Sequence, residues 1–95
     1  MRVRFTPAAR AQLDAIFAYV AGENPRAARD LVCAIQGLAS LLQTHPRLGR
    51  PANRRGVHVV TVSRKPYRLL YRVAGDEVLI QAVRHTSRRP LRRFQ

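Results

Sequence analysis

Ninety-five residues make one domain with a single modest core, of the size that buries ~60–65% of the surface its unfolded chain exposes. The formal net charge is +13, from 18 Lys and Arg against five Asp and Glu, which implies a polyanionic or strongly acidic partner. No apolar run approaches the ~20 residues of a membrane span, no signal-peptide core follows Met1, and the lone Cys33 excludes an internal disulfide, so a cytoplasmic protein without a membrane role is expected.

The charge is unevenly placed. Residues 1–46 hold five Arg against Asp14, Glu23 and Asp30, giving +2, whereas residues 47–95 hold thirteen Lys and Arg against Asp76 and Glu77, giving +11. Seventeen of the eighteen bases are Arg, which favours planar, bidentate contact with phosphates or carboxylates.

In chain order, Val3–Phe5 reads as a short strand. Thr6-Pro7 is a helix start, since the hydroxyl can accept from a free amide and Pro suits the first helical position. Ala9, Leu13, Ile16, Phe17 and Val20 then form one stripe, ending near Gly22. Asn24-Pro25 repeats the start signal, and Ala28, Leu31, Val32, Ile35, Leu38 and Leu42 line one side of a second helix that stops before His45-Pro46. The short connection between them demands an antiparallel helical hairpin.

Residues 46–57 read as a loop, with two Pro, two Gly and four Arg. His58–Val62 is a strand and Ser63–Pro66 a turn. Next come two strands, 65–73 and 78–85, around Gly75-Asp76, the sequence form of a β-hairpin. Strict alternation puts Tyr67, Leu69, Tyr71 and Val73 on a core face and Arg68, Leu70 and Arg72 on the other. In the last strand it sets Val78, Ile80 and Ala82 against Leu79, Gln81 and Val83. Residues 84–95 form a basic C-terminal arm. The expected class is α+β, in the order β-α-α-β-β-β. A helical hairpin packs on one face of a mostly antiparallel four-stranded sheet, because a one-faced sheet cannot hide its apolar side alone.

Several stretches together resemble a known family: Phe5-Thr6-Pro7-Ala8-Ala9, Asn24-Pro25-Arg26-Ala27-Ala28, Pro46-x-x-Gly49-Arg50, Pro66-Tyr67-Arg68-Leu69-Leu70-Tyr71 and Val83-Arg84-His85-x-x-Arg88-x-Pro90. In that joint spacing the chain is similar to toxins of the RelE/ParE superfamily, in the ParE-like or plasmid-stabilisation branch of type II toxin–antitoxin modules. The resemblance implies a cytoplasmic toxin neutralised by a cognate acidic antitoxin, ParD-like with a ribbon-helix-helix N-terminus. It implies either of two targets: DNA gyrase, blocked without chemistry, or mRNA in the ribosome, cut by a RelE-like endoribonuclease. Nuclease members carry paired lysines where this chain has Val59 and Thr61, a basic residue at the position of Thr86, and often a tail tyrosine. Arg68 alone of these positions keeps the nuclease pattern, and the resemblance therefore leans towards gyrase.

Metal-free phosphodiester cleavage needs a base, a proton donor and cations for the phosphorane. His85 with Arg68 and Arg88 would be the candidates, yet alternation sends His85 and Arg84 to opposite faces. His45 and His58 read as structural or solvent-facing. Three dispersed His and five carboxylates offer no metal-ligand spacing, and no cofactor is expected. The expected antitoxin- or target-binding set is Arg64, Arg68, Leu70, Arg72, Arg84, Arg88 and Arg89, an apolar-cationic strip complementary to an acidic amphipathic peptide. A plain nucleic-acid-binding module is the remaining class, without a recognition-helix pattern in its support.

Overall fold

The computed structural model describes residues 1–86. Its elements are β1 (Arg2–Phe5), α1 (Pro7–Glu23), α2 (Pro25–Thr44), β2 (Arg50–Pro51), β3 (Val57–Thr61), β4 (Tyr67–Ala74) and β5 (Glu77–His85). The sheet order is β1-β5-β4-β3-β2, with β1 parallel to β5 and every other pair antiparallel. The α+β class and the helical hairpin on one sheet face are as the sequence leads one to expect.

The helix starts follow from their caps. The Thr6 hydroxyl accepts from the Ala9 N–H at 3.1 Å, with Pro7 in the first helical position. Asn24 closes one helix and opens the next. Its N–H donates to Val20 O at 2.7 Å, and its side-chain oxygen accepts from the Arg26 and Ala27 amides at 3.1 and 3.2 Å. A one-residue joint leaves α2 no course but back along α1.

Leu31 and Leu42 of α2 belong to one buried cluster with Leu69, Tyr71, Val78 and Ile80, all at most 2% exposed. Each such side chain contributes about 1.5–3 kcal/mol by leaving water. The β4–β5 turn is two residues, and only Gly75 in it has a positive φ (61°), which suits a type II′ turn with Gly in the first central position.

Two expectations are corrected. First, residues 46–57 are not wholly loop: Arg50 pairs with Val59 and Pro51 with His58, so the sheet has five strands, not four. A sheet edge tolerates Pro51, because its missing N–H removes no bond from a central ladder. Tyr71 guides the chain there, its hydroxyl accepting from the Gly49 N–H at 2.8 Å and donating to Pro46 O at 2.9 Å.

Second, strict alternation fails in β5. Leu70 pairs with Ala82 but Tyr71 with Ile80, so Gln81 is an extra residue, a β-bulge. Beyond it the faces exchange. Val83 joins the core, opposite Leu69, and Ala82 lies across the sheet with Leu79 and Leu70. On the side away from β4, beyond the end of β1, the Val83 N–H donates to Gln12 Oε1 of α1 at 2.8 Å, which satisfies an amide that β1 does not reach.

Tyr71→Phe removes the hydroxyl that serves both Pro46 and Gly49. Urea unfolding of the variant should show a loss of about 1–3 kcal/mol, the cost of leaving buried backbone groups unpaired. An unchanged midpoint would mean that the 46–49 segment is held by something else.

Candidate functional site

The helices cover one side of the sheet, and the cations gather on the other. Arg68 of β4 lies directly opposite Arg84 of β5 and next to Thr61 of β3. Leu70 sits between Val59 and Ala82, and Arg72 between Val57 and Leu79. Because cross-strand neighbours stand ~4.5–5.5 Å apart at Cβ, the result is an apolar band bordered by guanidiniums.

The pair Arg68–Arg84 is electrostatically unfavourable in the isolated chain. Arg68 Nη2 donates to the Thr86 carbonyl at 3.4 Å, a long contact, and Arg84 is exposed. Among the described residues the ion pairs are Arg2 and Arg4 with Glu77, and Arg10 with Asp14. None of Arg64, Arg68, Arg72 and Arg84 takes one. Glu77 is engaged at the far end of the sheet, where the hydrogen bond from Arg4 holds its carboxyl below the usual carboxylate range against the opposing effect of burial. Its folded-state pKa is depressed, so the β1–β5 contact adds stability above the ordinary carboxylate range and loses it as pH falls.

The other expected site residues fall in different places. Arg72 Nη1 donates to the Arg55 carbonyl at 3.0 Å and packs over Gly56, whose φ is +80° and whose place a Cβ would contest with that guanidinium. It therefore ties down the loop between β2 and β3 as well as adding charge. Arg64 is exposed at the tip of the β3–β4 connection, with φ +63°, a left-handed conformation that costs a non-glycine residue of order 1 kcal/mol. Arg88 and Arg89 lie outside the described residues.

His85 stands on the core face. Its ring meets Tyr67 edge-on, with centroids 5.1 Å apart and planes at 83°. Arg68 and Arg84 point from the opposite face of the same strands, so the imidazole is separated from them by the thickness of the sheet. Tyr67 and Tyr71 are core residues too, and Tyr71 stacks on His58 at 5.4 Å. Gln12, not among the residues the sequence singles out, accepts the Val83 N–H two residues beyond the bulge. Its place within the apolar stripe of α1, between Ala9 and Leu13, was the available signal. Among the described residues no group of three or more His, Cys, Asp or Glu could hold a metal ion. No described helix is long and apolar enough to cross a membrane.

This arrangement has known relatives. Residues 3–90 match the family described as the ParE toxin of the type II toxin–antitoxin system parDE. A curated relative from Sinorhizobium fredii, named "Putative toxin Y4kP", is 33% identical over 84 residues, spanning 88% of this chain and 86% of its own length. Among solved structures, a chain of the chromosomal ParDE toxin–antitoxin system from P. aeruginosa superposes with a TM-score of 0.80 at 30% identity, covering 92% of this chain and 97% of that one. A chain of the RelBE2 toxin–antitoxin complex from Mycobacterium tuberculosis gives a TM-score of 0.62 at 30% identity, over 88% of each chain. With one helical hairpin, one cation-bearing sheet and a match along nearly its whole length, this chain belongs to the ParE toxin family of type II toxin–antitoxin systems.

Proposed function

We propose that the protein is a ParE-like toxin that arrests growth by occupying DNA gyrase, and that a cognate acidic antitoxin neutralises it. The observation that carries this reading is the position of His85. On the helix-free face around Arg68 and Arg84 the described residues present cations, aliphatic groups and the Thr61 hydroxyl, and the imidazole that would serve as general base packs against Tyr67 on the other side. A surface of that kind suits an anion, and among the described residues it carries no carboxylate or imidazole beside the two guanidiniums to take a proton from a ribose hydroxyl. Val59 and Thr61, flanking Leu70 and Arg68, add no charge where nuclease relatives would carry lysines.

The same surface suits an acidic amphipathic segment of a ParD-like antitoxin. Carboxylates pair with Arg68 and Arg84, which repel each other until they are neutralised, while aliphatic side chains meet Leu70, Val59 and Ala82. A second reading, ribosome-dependent mRNA cleavage, is favoured by the likeness to a RelBE2 chain and by the phosphate-binding capacity of the paired guanidiniums.

Two measurements test the reading. Purified gyrase should lose supercoiling activity in the presence of the chain, while a reconstituted translation reaction keeps its message intact. Cut message with unaffected gyrase would overturn the proposal, and Arg68→Ala should then abolish the cutting. For the partner, Arg84→Glu replaces a repulsive cross-strand pair with an attractive one. The isolated variant should gain about 0.2–1 kcal/mol in low-salt thermal unfolding, and should bind the antitoxin about 10- to 100-fold more weakly. Unchanged affinity would remove the helix-free face from the interface.

A further inference from the structure

The helical layer of this protein is neutral and its sheet layer is not. Helices α1 and α2 carry Arg10, Arg26 and Arg29 against Asp14, Glu23 and Asp30. Outside them, the described residues hold ten Arg and one Lys against Asp76 and Glu77. The charge is therefore a property of one layer, which orients the molecule towards a polyanion.

Strand pairing fixes how the cations of that layer are spaced. On the helix-free face Arg68 and Arg84 stand side by side, and Arg72 shares a second row with Leu79 and Arg4. Between the two runs an uncharged row, Val59, Leu70 and Ala82, with Arg50 at its β2 end. Arg68 and Arg72 are four positions apart on β4, which sets the cationic rows ~13 Å apart at ~3.3 Å per residue. Arginines thus occupy the face from β1 at one edge of the sheet to β2 at the other. Among the described strand residues its one carboxylate is Glu77, beside Arg2 and Arg4.

A single extended peptide can follow one of these rows but leaves the other unpaired. Duplex nucleic acid presents two phosphate rows, bordering grooves ~6 Å and ~12 Å wide, so both arginine rows can be neutralised at once. The uncharged band then lies over a groove without reading its base edges. A single strand suits the face less well, because its bases are held by stacking on aromatic rings. Tyr67 and Tyr71 are buried on the core side, Phe5 packs against the same core, and among the described residues the helix-free face has no aromatic ring.

We propose that the helix-free face binds the phosphate backbone of duplex DNA, without sequence preference. Arg68 and Arg84 take phosphates of one strand, Arg72 and Arg4 take those of the other, and Arg50 extends the contact at the β2 edge. The second row is the weaker, since Arg72 Nη1 already donates to the Arg55 carbonyl and Arg4 is paired with Glu77. The choice of DNA over duplex RNA rests on the gyrase reading above, because that enzyme works on a DNA duplex. The inference adds that the toxin grips the DNA as well as the enzyme.

The test uses the full chain without gyrase and a fluorescein-labelled duplex of about 20 base pairs, read by anisotropy between about 50 and 200 mM salt. The unaltered chain should bind with a Kd of about 10⁻⁴ to 10⁻⁶ M at physiological salt, and log K should fall against log salt with a slope of about −4. Arg50→Ala and Arg84→Ala, both at exposed positions, should each flatten that slope by about 1. Arg26→Ala on α2 should leave it unchanged. Glu77→Gln releases Arg4 and should tighten binding about 2- to 5-fold, a gain that a damaged fold cannot mimic. Asp30→Asn, the same charge change in the helical layer, should stay within about 1.5-fold of the unaltered chain. Failure of the unaltered chain to bind, slopes unmoved by both arginine variants, or tighter binding of a single strand or of duplex RNA overturns the proposal. A chain that grips the duplex yet leaves supercoiling intact keeps the face and removes the gyrase reading. One that stops gyrase without binding DNA does the reverse.

Discussion

Strand β5 has one residue more than its partner at Gln81, and the distribution of charge across the sheet depends on that mismatch. Without the extra residue, strict alternation would carry the face of Val78 and Ile80 on through Ala82 to Arg84, driving a guanidinium into the apolar layer beneath α1. A buried, unpaired cation there would cost several kcal/mol, more than a domain of this size can easily spare. With it, Val83 enters the core and Arg84 emerges opposite Arg68. Just beyond the extra residue the Val83 N–H donates to Gln12 Oε1, which ties α1 to the end of β5.

The consequence is a protein that keeps its buried apolar groups on one face of the sheet and most of its sheet arginines on the other. On the helix side, Leu31, Leu42, Leu69, Tyr71 and Ile80 are shielded from water. On the other side Arg68 and Arg84 repel one another, and among the described residues the sheet's paired carboxylate, Glu77, is engaged by Arg2 and Arg4 of β1 instead. A small fold tolerates such a surface because solvent and salt screen it. The unspent attraction is available to an acidic partner, which is the physical basis for regarding the free chain as one half of a complex.

Arg72 and Tyr71, neighbours on β4, show how the irregular segment between α2 and β3 is held from both faces at once. Tyr71 binds Pro46 and Gly49 from within the core, and Arg72 reaches the Arg55 carbonyl from the opposite side. The segment in turn supplies Arg50, with β2 covering only part of the β3 edge. Pinning this loop therefore places Arg50 beside Val59 and sets how much of the edge stays open.

Much of the architecture was legible in local chemistry. Thr6-Pro7 and Asn24-Pro25 mark helix starts because a side-chain oxygen and a residue without an N–H solve the same unpaired-amide problem. Gly75 marks the hairpin, and the alternation of Tyr67, Leu69 and Tyr71 with Arg68 and Arg72 marks two unlike faces. These are properties of residues within a few positions of one another. The two-residue strand at Arg50, the bulge at Gln81 and the position of His85 relative to the arginines were decided only in three dimensions. Each involves residues far apart in the chain: Tyr71 with Gly49, the register of β5 against β4, and Tyr67 with His85. Composition determined that the chain would be strongly basic, and local patterning that it would be an α+β domain. Tertiary packing decided which arginines converge, because a single inserted residue reverses a strand's facing and nothing in its own neighbourhood announces it.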